Sequence, residues 1–339
     1  MLRSLLLELL CCGTHKASTG RGRDRGLKVA RPRGVFLAWV LSLMTLPGVT
    51  LGQGNDSRCA HEPGDAPEMV TIDGEEFEMG SASLLAREKP VRLVKIARPF
   101  AIGRCEVTVA EFTQFVALTA YITDAERPGR RCYSYHADTH VFRFEGHRDW
   151  RSQGFPQTEH DPVTCVSWND ARAYVEWLNR RFEGAERRYR LPSESEWEYA
   201  ARSGTVTERH WPMDLQYEFA KGGGVSLRDA VVVDVTVFSD CLDGEVFTAP
   251  AASFRSNRWG LYDTSGNVWE WAAECWHESY AGAPVDGSAW TADGGTFNRR
   301  SWRGRGCTDR PVDLSQANRL SCPQGNVLND FGFRVARIL

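Results

Sequence analysis

Three stretches of the chain place apolar residues at helical spacing, and each opens on the same local device. In TVAE (Thr108, Glu111), SWND (Ser167, Asp170) and SESE (Ser193, Glu196) a hydroxyl stands three residues before an acid. At that spacing the hydroxyl accepts from an orphan helical amide while the acid reaches back to another, a capping box or its Asp variant. The pattern predicts a helix over 109–119 with Phe112, Phe115 and Val116 facing inward. A second helix is predicted over 168–182, with Ala171, Tyr174, Val175 and Leu178 on one face. A third, over 194–202, stops before Gly204, a C-terminal cap. Alternating patterns are scarcer. MVTI and EFEMG flank Asp73-Gly74 and read as a hairpin. VWEW, from Val268, reads as a strand after the turn DTSGN. Residues 121–162 and 204–260 are long and aperiodic, and loops of that length are functional or held by cross-links.

The N-terminal region departs from this pattern. Eight Lys and Arg against two acids precede an uncharged apolar run over 35–49, followed by small residues near Gly52. This is the layout of a secretory signal. Residues 1–52 therefore read as leader and signal peptide, 53–67 as a Gly- and Pro-containing linker, and 68–339 as the folded domain. A periplasmic location is expected.

Composition sharpens the picture. Twelve Trp and 31 Gly suit a loop-rich fold pinned by large rings. Without the leader the charge is 33 basic against 42 acidic residues, net −9. That excludes a nucleic-acid partner as the expectation and favours divalent cations. Ten cysteines become eight once Cys11 and Cys12 leave with the leader, and an exported chain uses an even set for disulfides. No C-x-x-C spacing supports a zinc or thioredoxin-type site.

Candidate chemistry centres on GLYDTSGNVWEWAAECW. Asp263 and Glu270 offer carboxylates, and Gly266 and Val268 offer carbonyls, a mixed oxygen set of the kind calcium takes. Asp243 and the Glu245 carbonyl, in DCLDGEVFTAP, offer part of a second set. From spacing alone, the alternative at the first place is a turn with a solvated Asp263 and Glu270 paired to an arginine, and the second set is a weak signal. His136, His140 and His147 fall in a stretch without helical period, so they do not converge on a metal and read as surface loop. No nucleophile-elbow, Walker or dinucleotide motif is present.

Taken in order, MVTIDGEEFEMGS, CEVTVAEFTQFV, HDPVTCVSWNDARAYVEWLN, RYRLPSESEWEYAARSGT, GLYDTSGNVWEWAAECW and ANR followed by GFRVAR resemble the formylglycine-generating enzyme (sulfatase-modifying factor) family over 68–339. The resemblance implies a C-type-lectin-related α+β fold with little regular structure. It also implies one or two structural calcium ions, at Asp263, Gly266, Val268 and Glu270 and at Asp243 and Glu245. Copper-dependent members use two cysteines five positions apart, the second three residues before the Arg of A-x-R. Here that Arg is Arg319, so the two positions fall at Pro311 and Gln316. Neither is a thiolate, so no copper is expected, no catalytic residue is assigned, and formylglycine formation is not expected.

A bacterial, exported branch that lacks the copper cysteines resembles the chain further. It implies a Cys132–Cys165 bridge. Because a usual partner of Cys275 is missing and Cys307 stands in an unusual place, a Cys275–Cys307 bridge is the corresponding expectation. Cys59, Cys105, Cys241 and Cys322 stay unassigned. By resemblance the function is an accessory that binds an exported or membrane-bound protein partner, such as a membrane kinase whose threonine phosphorylation lies upstream of type VI secretion. The alternative is a cofactor-poor periplasmic oxidoreductase maturing a small molecule such as a siderophore chromophore, with a pocket at Trp302 and Arg319. A second alternative is a retroelement-diversified binding protein.

Overall fold

The computed structural model describes residues 59, 65–82, 85–136, 141–145, 147–182, 188–223, 246–291, 295–309 and 313–339. Residues 1–52, expected to be leader and signal peptide, and Asp243, Glu245 and Pro311 lie outside the described residues. Among the described residues no helix is long and apolar enough to cross a membrane.

The three capped helices form as their sequences predict. Helix α1 spans Val109–Thr119, α2 Trp168–Arg181 and α3 Glu194–Arg202. Each has a complete reciprocal capping box, from Thr108 and Glu111, Ser167 and Asp170, and Ser193 and Glu196. Replacing such a cap by Ala costs about 1 kcal/mol. Helix α3 ends in a left-handed turn at Ser203 and Gly204. A fourth, short helix α4 covers Gln216–Phe219.

Strands β1 (Met69–Ile72), β4 (Phe100–Gly103), β13 (Ala336–Ile338) and β7 (Tyr189–Arg190) make an antiparallel sheet in the order β1-β4-β13-β7. A second sheet has the order β10-β9-β8-β12, from β10 (Arg319–Pro323), β9 (Thr296–Arg303), β8 (Trp269–Trp276) and β12 (Phe331–Gly332). Within it only the β12–β8 pair is parallel. The third sheet joins β11 (Val327–Leu328) to the hairpin β5 (Cys132–His136) and β6 (Val141–Glu145). His136 thus sits on a strand, as its surroundings implied, not on a helix that could pair it with His140.

The expected hairpin over 69–80 does not form. β1 pairs with β4, whereas β2 (Glu76–Met79) pairs with β3 (Arg92–Lys95), so the two strands belong to different sheets. Gly74 explains the rerouting. A Cβ there would lie 2.2 Å from the Ile96 carbonyl oxygen, and the Ile96 amide bonds Glu75. Asp73-Gly74 therefore carries the chain tightly across the strand that follows rather than folding β1 onto β2.

The main core is aromatic. Phe112 and Phe115 of α1 and Tyr174 and Trp177 of α2 pack with Trp269, Trp271, Trp302, Phe331 and Phe333. Trp302 lies 4.4 Å from Trp269 and 4.0 Å from Phe331, ring centre to ring centre. Burial of rings this size contributes about 25 cal/mol per Å² of apolar area and offsets the entropy of fixing so many loops.

Two cysteine pairs fasten those loops. Cys59 bonds Cys105, and Cys132 bonds Cys165. Cys322 is also disulfide-bonded, to a partner outside the described residues, so Cys59 and Cys105 are excluded as its partners. The expected Cys275–Cys307 bridge is absent. Cys307 donates its amide to the Asn267 carbonyl, at the start of β8, while Cys275 lies near the far end of that strand. Eight extended residues span roughly 26 Å, and a disulfide tolerates a Cα separation of about 7 Å at most.

Candidate functional site

The turn before β8 is built from backbone conformations few residues tolerate. Asp263, Gly266 and Asn267 have φ of 55°, 86° and 62°. Asp and Asn accept the left-handed region because their short side chains bond locally. Gly266 is required for a second reason: a Cβ there would meet the Lys221 carbonyl oxygen at 1.9 Å. The turn delivers Asp263, Val268 and Glu270 into the interior, each at most 3% exposed.

Glu270 meets Arg334 in a two-pronged pair, with Nε to Oε2 and Nη2 to Oε1 both at 2.6 Å. The Trp197 indole adds a bond to Oε2 at 2.7 Å. Glu106 completes the group: it accepts from Asn267 Nδ2 at 2.7 Å and from the Val268 amide at 3.2 Å. Three buried carboxylates thus share one guanidinium. Burial, together with the charge of Asp263, pushes the Glu106 carboxyl well up. Burial also raises Asp263 to about 6, with Glu270 adding to it and Arg334 opposing it. Sequence reasoning missed Glu106 and Arg334. The only trace of Glu106 was an acid flanked by Cys105 and Val107 in an apolar run.

Does this group suit calcium? Asp263 Oδ2 accepts from the Ala252 amide at 2.7 Å, but Oδ1 is buried without a hydrogen-bond partner. No loop amide among the described residues donates to the Gly266 or Val268 carbonyl. The uncompensated negative charge and the orphaned oxygen fit a hard cation. The side-chain share of the donor set is small, since no three His, Cys, Asp or Glu among the described residues are grouped to hold a metal. The ion would rest on Asp263, on Glu270 already forked by Arg334, and on carbonyls.

A second buried network surrounds α3. Glu194 accepts from Arg319 at 2.8 and 2.7 Å, Glu198 from Arg202 at 2.9 Å and from Arg303 at 2.5 Å, and Arg303 also donates to the Tyr280 hydroxyl at 2.7 Å. Burial works against the charge of Arg319, but Glu194 and Tyr280 outweigh it and raise its pKa. Burial first, and the charge of Glu194 second, lifts the neighbouring Glu274 to about 8. Sequence reading found the cap of this helix and missed the inward turn of Glu194 and Glu198.

Among the described residues, Trp302 and Arg319 do not line the common pocket expected of them. Leu320 pairs with Trp302 and Arg319 with Arg303, so by strand alternation the indole and the guanidinium face opposite sides of β9 and β10. Trp302 is closed into the aromatic core, and Arg319 is closed between Trp276, Tyr280 and Glu194.

Gln316, one of the two positions that the family resemblance assigns to thiols, is fully buried and tied into this second network. Its side-chain amide donates to the Ala201 carbonyl at 2.8 Å and lies 2.5 Å from His210 Nδ1. Its own carbonyl accepts from Arg303 at 2.9 Å. Burial pulls the His210 imidazole down to about 4, so it is neutral at pH 7.

This loop-rich α+β architecture is that of the formylglycine-generating-enzyme-like fold. The Sulfatase-modifying factor enzyme 1-like domain matches residues 56–339, and the chain belongs to that family. It is 34% identical over 251 residues to the formylglycine-generating enzyme of Streptomyces coelicolor, covering 65% of this chain and 75% of that one. It is 30% identical over 299 residues to the inactive C-alpha-formylglycine-generating enzyme 2 of Mus musculus, covering 78% and 84%. The solved structure of PvdO from Pseudomonas aeruginosa overlaps with a TM-score of 0.64 at 30% identity, covering 83% of this chain and 100% of PvdO. The family therefore includes proteins named inactive as well as enzymes.

Proposed function

We propose that this chain is an exported member of the family that does not form formylglycine and works by binding an exported or membrane-bound protein partner, with calcium in a structural role. One observation carries the reading. Gln316 occupies a position at which copper-dependent members need a thiolate, and its amide is consumed by the Ala201 carbonyl and His210. Cys275 and Cys307 lie at opposite ends of β8 and do not converge to replace the pair. The relationship to proteins named inactive supports the same reading. The small-molecule oxidoreductase alternative needs a pocket at Trp302 and Arg319, and among the described residues both side chains are enclosed on opposite faces of β9 and β10.

The direct test supplies Cu(I) and a cysteine-containing sulfatase peptide and reads the peptide by mass spectrometry. No conversion of cysteine to formylglycine is expected, and conversion at a rate comparable to an authentic enzyme overturns the reading. For the partner, the proposal is a membrane kinase upstream of type VI secretion. Deleting the gene should reduce threonine phosphorylation of that kinase's substrate on a phosphothreonine blot. Unchanged phosphorylation removes the kinase version while leaving partner binding to be sought by in-cell cross-linking.

A further inference from the structure

A cleft of about 610 Å³ opens where α2, the start of α3 and β13 meet the turn over 286–289. None of its lining residues belongs to the carboxylate group around Arg334 or to the network around Gln316. Its walls are mostly apolar, from Phe100, Val175, Leu191, Ala273, Ala289 and Ile338. A cleft of this volume and lining suits one organic molecule of drug-like size.

The charges at its edge decide which kind. Three guanidiniums, Arg98, Arg172 and Arg190, face two carboxylates, Glu196 and Asp286. Both acids are hydrogen-bonded, and Glu196 is the one neutralised by an arginine. Arg190 forks Glu196 with two bonds of 2.6 Å, and Asp286 Oδ1 accepts from the Ser288 amide at 3.0 Å and hydroxyl at 2.6 Å. Arg172 pairs with Glu176 in a solvent-exposed contact at 3.2 Å and lies over the Trp168 ring, 5.5 Å from its centre. Arg98 is exposed and in no ion pair among the described residues. The lining sums to a single positive charge, three arginines against two carboxylates, on a domain whose sequence over 53–339 carries net −9. An acidic protein that keeps an apolar cleft with exposed guanidiniums at its rim is complementary to an anion with an apolar body.

The geometry points to a binding site for an amphipathic organic anion, with its hydrocarbon or ring system between Phe100, Val175 and Ile338 and its carboxylate or sulfonate at Arg98 and Arg172. This site lies apart from the family's thiol position and stands whether or not the partner reading holds. The test titrates the folded, exported protein with anilinonaphthalene sulfonate and, separately, with uncharged phenylnaphthylamine, following dye fluorescence. One saturable site for the sulfonate is expected. Combining Arg98→Glu with Arg172→Glu, both exposed, should weaken it by about tenfold or more, the effect of losing charge-assisted contacts, and should leave phenylnaphthylamine binding unchanged. Ala289→Trp, which fills the cleft, should abolish binding of both dyes while near-ultraviolet circular dichroism stays that of the parent. Absence of saturable binding, sulfonate binding indifferent to the charge reversal, or dye binding that survives Ala289→Trp overturns the proposal.

Discussion

Arg334→Met tests the idea that one guanidinium holds the turn before β8 together. Arg334 is 1% exposed and is the cation of a group that contains Glu106, Asp263 and Glu270. Beyond the fork to Glu270, its Nη2 donates to the Tyr262 carbonyl at 3.0 Å and its Nη1 to the Gly103 carbonyl at 3.1 Å. Methionine fills most of the volume but makes none of these bonds. Breaking a buried pair from one side costs about 3–5 kcal/mol. Two orphaned carbonyls add about 1–3 kcal/mol each where no water reaches them. The sum reaches a large part of the roughly 5–15 kcal/mol that holds a domain folded. The pH response has a fixed sign. Carboxyls whose pKa is raised in the folded state bind protons more tightly there than in the unfolded chain, so the penalty is complete above the folded pKa and relieved as pH falls through it. The variant should therefore lose most stability at pH 8 and recover part of it toward pH 6. Guanidinium melts of the purified protein at both pH values measure this. The paired variant Arg334→Met with Glu270→Gln should be more stable than Arg334→Met alone, because the unpaired charge is gone. A single variant within about 1 kcal/mol of the parent, or a double variant no better than the single, refutes the reasoning.

Three further outcomes follow from other parts of the molecule. Replacing Cys132 and Cys165 together by Ala opens a loop with a sequence separation of 33 and should cost about 4 kcal/mol by chain entropy, read as a lower denaturant midpoint. If calcium occupies the Asp263 site at about a hundred times its Kd, it contributes about 2.7 kcal/mol. At about 2–4 °C per kcal/mol for a domain of this class, chelation should lower Tm by roughly 5–10 °C, and Asp263→Asn should abolish that difference; an unchanged Tm removes the ion. The buried His210 imidazole is depressed to about 4 against an ordinary value near 6.5, so the unfolded chain takes its proton first. Its contribution is present above pH 6.5 and is lost between 6.5 and 4, by about 3 kcal/mol, which His210→Gln should remove from the difference between the two stability curves.

The helices were legible because their signals are local. A hydroxyl and an acid three residues apart fix a helix start whatever packs around it, and all three boxes closed as spaced. The turn over 263–267 was legible for the same reason. The misread hairpin shows the limit: Asp73-Gly74 is a turn signal, but its glycine answers to Ile96, more than twenty residues on, and short-range pattern contains no such neighbour. Charge partners were equally hidden. Glu106 meets Asn267 and Val268, and Glu194 meets Arg319, across more than a hundred residues of chain. The Cys275–Cys307 expectation failed because two cysteines without assigned partners were joined without knowing that β8 separates them.

Helix α3 shows what has become of the family's thiol position. All nine of its residues are buried although most are polar, so the helix depends on the paired charges around it and not on an apolar stripe. Arg303 connects that helix, through Glu198, to the carbonyl of Gln316, and the Gln316 amide returns to the helix at Ala201. A thiol at 316 could not make the Ala201 bond at that strength, and would leave that carbonyl with the longer 3.3 Å bond from Asn257 Nδ2. Gln316 is therefore a strut of the network that supports α3. That arrangement favours a position given over to holding a shape, the property on which recognition of a partner surface depends, over a reactive centre awaiting a cofactor.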